Sequence, residues 1–304
     1  MMSTFRLLPL LSLIIVMFTA CSRHNSPDLA SRLGEITDSA PGQVGIAVIL
    51  PMGDTVTVGC DSVRYPLMSV FKLHQSIALG LVLDESGVGL DTIVTIARRE
   101  LNPDTWSPLL VDHPEGDVSL PLTDLLDYLL LQSDNNVSNI LFDRFCHVAM
   151  TDSIIRNVTG DNDFKLTYSE HEMQLDHAKA YRNWSSPKAC AALMASLFTD
   201  SLLSTPKQQF IISALKRCET GRERIPAAFT HNDSVTIAHR TGSGYINDHN
   251  EIVAVNDVAH IILPDGRNYT LAVLVKDYSG TQEDAERLIA RISSEVYAYI
   301  KYQR

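Results

Sequence analysis

Four places in the chain set a serine three residues ahead of a lysine: Ser69/Lys72, Ser185/Lys188, Ser204/Lys207 and Ser213/Lys216. A serine hydroxyl is a weak nucleophile until a base takes its proton, and a lysine one helical turn later lies on the same helix face. To be that base the lysine must be neutral, so burial or a neighbouring cation must lower its pKa from about 10.4; a charged lysine only positions and stabilises. Spacing alone does not choose among the four pairs, but order along the chain does. Ser69 heads an apolar stretch of helical period, followed downstream by Ser133-Asp134-Asn135, an acidic polar segment and Arg240-Thr241-Gly242. A given tripeptide such as Ser-Asp-Asn arises by chance in only about one chain in twenty of this length. Ser185 instead begins a later helix, Ser204 stands before a proline, and Ser213 lies too late to be followed by such a motif.

The motifs "SVFK", "SDN" and "RTG", in this order, resemble the Ser-x-x-Lys, Ser-Asp-Asn and Lys-Thr-Gly set of the class A serine β-lactamases, which the penicillin-binding proteins share. The resemblance implies that Ser69 forms an acyl-enzyme with penicillins and cephalosporins, with Lys72 beside it. Ser133 would shuttle a proton to the lactam nitrogen, and Asn135 would hold Lys72 and the substrate's side-chain amide. Asp134 reads as a structural cap. Arg240 would face the substrate carboxylate where Lys is usual, keeping the charge but replacing a compact ammonium with a planar fork. Thr241 would add a hydroxyl contact. The N–H groups of Ser69 and Ser243 would form an oxyanion hole, each donor worth roughly 10²–10³ in rate. Arg224 is either an accessory arginine beside this position or a solvated surface charge. Trp106, flanked by Asp-Thr and Ser-Pro, reads as a loop aromatic at the cleft entrance.

The three motifs do not separate a hydrolase from a protein that only accepts acyl groups. A deacylating base is needed, and class A enzymes carry it on an Ω loop. The polar segment from Thr167 to Trp184, containing "YSEHEMQLDHAKAYRNW", shows no helix or strand period. It resembles the longer loop of the PER and CfxA types, which makes Glu170 the base, Glu172 its competitor, and Gln174 the residue that helps hold the water. That likeness also implies extended-spectrum cephalosporins as substrates. The alternatives are a penicillin-binding D,D-peptidase and a non-hydrolysing penicillin-binding lipoprotein; the acidic loop argues against both.

A chain of 304 residues with 45% hydrophobic and 20% charged residues has the composition of a folded protein of one large or two ordinary domains. Its net charge of -11 disfavours nucleic-acid binding, which needs a concentrated basic face. The opening "MMSTFRLLPLLSLIIVMFTAC" has one early Arg6 and an apolar run from Leu7 to Phe18, too short for a comfortable span and placed like an export leader over residues 1–20. "FTAC" resembles a lipoprotein box, so Cys21 is a candidate for lipid anchoring to a bacterial membrane. A periplasmic enzyme follows from this reading. Cys60, Cys146, Cys190 and Cys218 then permit three disulfide pairings, which sequence does not resolve. No zinc spacing or H-E-x-x-H is present, so neither a metal nor a cofactor is expected. The expected partner is a small β-lactam, and the expected state a monomer.

Strand-like "GQVGIAVILP" and "DTVTVGCD" flank a Pro51–Asp54 turn, and three further strands precede a final amphipathic helix, "TQEDAERLIARISSEVYAYI". Between them the pattern is helical: a buried helix from Ser69 to about Leu83, "LPLTDLLDYLLLQ" capped by Thr123, "NNVSNILFDRF", and "SPKACAALMASLF" with Ser186-Pro187 at its start. The expected fold is α/β (α+β): an antiparallel sheet built from both termini, flanked by helices, with an inserted all-α domain. The expected boundaries are 27–64 and 220–304 for the α/β part and 65–219 for the helical part.

Overall fold

The computed structural model describes residues 28–59, 62–229 and 234–302. The expected leader, the lipidation of Cys21 and any pairing of Cys60 fall outside these residues. Strands β1 (Gln43–Ile49), β2 (Thr55–Val58), β3 (Thr236–Ser243), β4 (Ile252–Ile262) and β5 (Asn268–Tyr278) form one antiparallel sheet in the order β2-β1-β5-β4-β3. The two ends of the chain therefore meet at the β1–β5 pair, and β3 is left as an edge. The β1–β2 turn closes with Leu50 N–H donating to Asp54 O at 2.8 Å, and Gly53 takes the left-handed φ of 92° that this turn requires.

Side chains alternate across the sheet. Ala47, Ala272 and Leu274 enter the core beneath the helices, while Ile46, Val48, Leu271 and Val273 face the helices α1 (Leu29–Thr37) and, at the C-terminus, Gln282–Tyr302. Helix α1 was not among the expected elements. Its signals are short but present: Asp28 accepts a capping bond from Ser31 N–H at 2.8 Å, and Leu29, Leu33 and Ile36 line one buried face.

Along the middle of the chain run α2 (Phe71–Glu85), α3 (Leu122–Leu131), α4 (Asn135–Arg144), α5 (Val148–Thr159), α6 (Glu170–Leu175), α7 (Pro187–Thr199) and α8 (Thr205–Lys216). Helix α2 is buried almost all round, including the polar side chains of Lys72, His74, Gln75 and Ser76. A central helix of this kind holds any group it carries rigidly, at the cost of desolvating it.

Two expectations are corrected. Thr123 is not the cap of α3: the extended Pro121 stands there without a side-chain bond, and the Thr123 hydroxyl reaches Asp124 inside the first turn. The 167–184 segment is not without regular structure, since it holds α6 and a 3₁₀ turn at His177–Arg182. The reason is a capping box: Ser169 Oγ accepts from Glu172 N–H, and Glu172 Oε2 accepts from Ser169 N–H at 2.9 Å.

Candidate active site

Ser69 lies in a 3₁₀ turn, Met68–Val70, that leads directly into α2. Met68 has φ 44°, a conformation that costs a bulky residue about 1–3 kcal/mol and persists only where its surroundings impose it. Those surroundings can be named. Asn256 on β4 donates from Nδ2 to Pro66 O at 2.7 Å and Leu67 O at 3.2 Å, and its Oδ1 accepts from Val275 N–H. Leu67 N–H donates to Asn183 O, and Arg240 Nε donates to Ser69 O at 3.0 Å. A Cβ on Gly242 would fall 2.5 Å from Leu67 O, so only glycine lets β3 lie this close to the serine turn. Gly244 N–H donates inward to Ala254 O, so by strand alternation the N–H of Ser243 points to the open edge, toward Ser69.

Asn256 escaped the sequence reading because nothing local marks a buried amide that serves a turn 190 residues away. Replacing it with alanine strands two buried carbonyls and should destabilise the fold by about 2–4 kcal/mol. A thermal melt checks this. At roughly 2–4 °C per kcal/mol for a chain of this size class, a Tm within 2 °C of the parent would contradict the anchoring role.

Lys72 is wholly buried beneath Ser69. Its Nζ lies 2.9 Å from Ser69 Oγ, 2.6 Å from Asn135 Oδ1, 2.7 Å from Glu170 Oε1, 3.1 Å from Ser133 O and 3.3 Å from Ser133 Oγ. Burial pulls its pKa down to about 8; Glu170 resists that fall and Arg240 adds to it. Both routes named above for neutralising a lysine thus act on Lys72.

Ser133 is held on the far side of Lys72 at φ 64°, and its Oγ accepts from Arg240 Nη2 at 2.7 Å. Asp134 caps α4 by accepting from Val137 N–H, and its other oxygen accepts from Ser107 Oγ and Leu109 N–H. This fully buried carboxylate fixes the Trp106 loop against Ser133 and Asn135. Asn135 Nδ2 donates to Thr105 Oγ1, a partner the sequence did not flag.

The two loop glutamates separate cleanly. Glu170 sits at the first position of α6 with Oε1 2.7 Å from Lys72 Nζ and 3.3 Å from Ser69 Oγ. Glu172 is occupied by the capping box with Ser169. Gln174 ties α6 to the 102–104 loop, its Nε2 donating to Asp104 O and its Oε1 accepting from Asn102 Nδ2.

A cleft of about 580 Å³ opens over Ser69, lined by Trp106, Ser133, Asn135, Thr241, Gly242 and Ser243, with Thr220 and Gln282 at its edge. Trp106 is 63% exposed, and its indole N–H donates to Gln132 O. Arg240 departs from the expected picture: it is 0% exposed, behind the cleft wall, and donates to Ser69 O, Leu130 O and Ser133 Oγ. Its charge acts across that wall, while Thr241 and Ser243 line the cleft. Arg224 is not a solvated charge but a buried one, donating to Gly242 O, Asn256 O and Ser243 Oγ (2.6 Å) and pairing with Glu286. Its bond to Ser243 Oγ leaves the serine's own proton free to point outward.

The remaining Ser-x-x-Lys pairs lie elsewhere. Ser185 Oγ donates to Ser186 O, Ser204 and Lys207 both bind Asp84, and Ser213 and Lys216 are exposed on α8. Cys146, Cys190 and Cys218 are free, buried thiols.

With this geometry in hand, comparison with known proteins is direct. The family described as "Beta-lactamase enzyme family" matches residues 28–300. A β-lactamase of Phocaeicola vulgatus is 47% identical over 272 residues, covering 90% of this chain and 84% of that protein. The extended-spectrum β-lactamase PER-1 of Pseudomonas aeruginosa is 27% identical, covering 95% and 92%. Among solved structures, a class A β-lactamase from Bacteroides cellulosilyticus superposes with a TM-score of 0.83 at 27% identity, covering 89% of this chain and 96% of that one. The fold is that of the class A enzymes. The chain belongs to the β-lactamase family as a class A member.

Proposed function

We propose that the enzyme hydrolyses penicillins and cephalosporins through an acyl-enzyme on Ser69 that Glu170 releases, and that this protects its bacterial host from those drugs. The carrying observation is the junction at Lys72, where the nucleophile, the proton shuttle and the loop carboxylate all come within 3.3 Å of one buried amine.

In acylation, Ser69 Oγ bonds to the lactam carbonyl carbon. Its proton passes to neutral Lys72 at 2.9 Å, with the Glu170 carboxylate 3.3 Å away as a second acceptor. The oxyanion is held by the N–H groups of Ser69 and Ser243. As the C–N bond breaks, Ser133 gives its proton to the nitrogen and is reprotonated by Lys72. Arg240 donates to Ser133 Oγ, which leaves that hydroxyl's own proton free for the transfer. The substrate carboxylate rests on the hydroxyls of Thr241 and Ser243, backed by the buried charges of Arg240 and Arg224. In deacylation, Glu170 takes a proton from water as the oxygen bonds to the ester carbonyl carbon; the C–O bond to Ser69 then breaks and Glu170 returns that proton to Ser69 Oγ, 3.3 Å away.

The likeness to PER-1 supports extended-spectrum cephalosporins among the substrates. Export and anchoring through Cys21 rest on the leader pattern, and the division into 27–64 with 220–304 against 65–219 rests on the change of texture along the chain. A chromogenic cephalosporin at excess over enzyme tests the reading. Many turnovers per site are expected; a burst of one equivalent and then silence would instead identify a penicillin-binding acceptor or D,D-peptidase.

A further inference from the structure

A second hollow, of about 610 Å³, lies beside the catalytic cleft and shares Trp106 and Thr220 with it. Its apolar walls are Trp106, Leu110 and Val111, and its outer rim carries the exposed carboxylates of Asp112 and Glu219. The walls are fixed: Trp106 is tied to Gln132 O, and the following segment is bound to buried Asp134 through Ser107 and Leu109. Asp112 accepts one bond from the Tyr128 hydroxyl. Arg217 gives both Nη hydrogen bonds to Asp127 and reaches Glu219 only through space, so among the described residues neither rim carboxylate is held in an ion pair.

The junction between the hollows has a direction. Thr220 Oγ1 is 2.5 Å from Thr241 Oγ1, so the hollow opens on the side where the substrate carboxylate rests. In a cephalosporin, the ring carbon next to the carboxylate-bearing one, C3, carries a substituent; in a penicillin the neighbouring carbon carries only two methyl groups. With the carboxylate so placed, a C3 arm would leave the ring beside Thr220 and pass Trp106 into the hollow. An apolar channel ending in carboxylates suits a flat aromatic arm with a positive charge.

We infer that this hollow is a subsite for cationic heteroaromatic C3 arms of cephalosporins, a refinement that rests on the β-lactamase reading and on its placement of the carboxylate. Leu110, Val111, Asp112 and Glu219 are then specificity residues remote from the reacting bond. Uniform binding of an arm in both ground and transition states is expressed in KM, not kcat.

The test uses three cephalosporins with one acyl side chain and a C3 methyl, acetoxymethyl or pyridiniomethyl group, assayed on the parent, Glu219→Lys and Val111→Arg. Both positions are exposed, Val111 at 79%, so these variants should fold. Each should raise KM for the pyridiniomethyl compound at least fivefold, with kcat unchanged and the methyl compound unaffected. Equal shifts for all three substrates, or none for any, would overturn the subsite. Absence of turnover of the methyl compound by the parent would instead overturn the β-lactamase reading itself.

Discussion

Ser69→Ala should lower kcat for a good cephalosporin by about five to six orders of magnitude, the scale seen when a nucleophile is removed from a serine enzyme whose parts act as a unit. The loss is one of chemistry. Among the described residues Ser69 Oγ hydrogen-bonds with Lys72 and Glu170, and those two remain paired at 2.7 Å without it, so the fold should persist. Ser185→Ala, Ser204→Ala and Ser213→Ala should retain parental turnover, because none of these side chains reaches the cleft. Progress curves on all four variants decide the matter. Appreciable turnover in Ser69→Ala, or its loss in one of the others at normal thermal stability, would move the nucleophile.

The second large effect is expected at Glu170. Glu170→Gln should still be acylated, since Lys72 keeps its contact with Ser69, but kcat should fall at least a thousandfold as the ester waits for water. Glu172→Gln, whose side chain is held in the capping box with Ser169, should stay within about threefold of the parent in kcat and lose well under about 1 kcal/mol of stability, because glutamine also serves at that position of the box. A pH profile of single-turnover acylation adds an independent reading. In the parent, the carboxylate 2.7 Å from Nζ favours the ammonium and holds the Lys72 pKa up at about 8. Glu170→Gln leaves burial and Arg240, which both push it lower, so more Lys72 is neutral at any given pH. The rising limb of acylation should move to lower pH; an unmoved limb would mean that Lys72 is not the group titrating.

The residues that sequence located best are those whose spacing is local or whose motif is short. The turn from Ser69 to Lys72 is one helical turn, and Ser133 and Asn135 flank a capping aspartate, so the chain itself sets their relation. Glu170 was reached only through likeness to a loop type, although Ser169 and Glu172 spell a capping box that should have announced α6. The contacts of Gln174 with Asn102 and Asp104 were not legible in the sequence, because they join α6 to a loop some 70 residues earlier. Arg240 and Arg224 show a related limit. Their charge and position on β3 and its neighbouring turn were legible, but burial behind the wall, with backbone carbonyls and Ser133 or Ser243 as partners, is a property of packing between distant segments. Asn256 belongs to the same kind, as does the helix α1, whose three apolar contacts were too few to stand out from a polar stretch.

If one ester forms on Ser69 and Glu170 frees it, removing the carboxylate should trap that ester. Glu170→Gln mixed with excess cephalosporin and quenched in acid should show an intact mass raised by one acyl group on nearly every molecule, located to Ser69 by peptide fragmentation, while the parent quenched alike carries little. A free Glu170→Gln protein turning over at the parental rate, or an adduct located at any residue other than Ser69, would contradict the account.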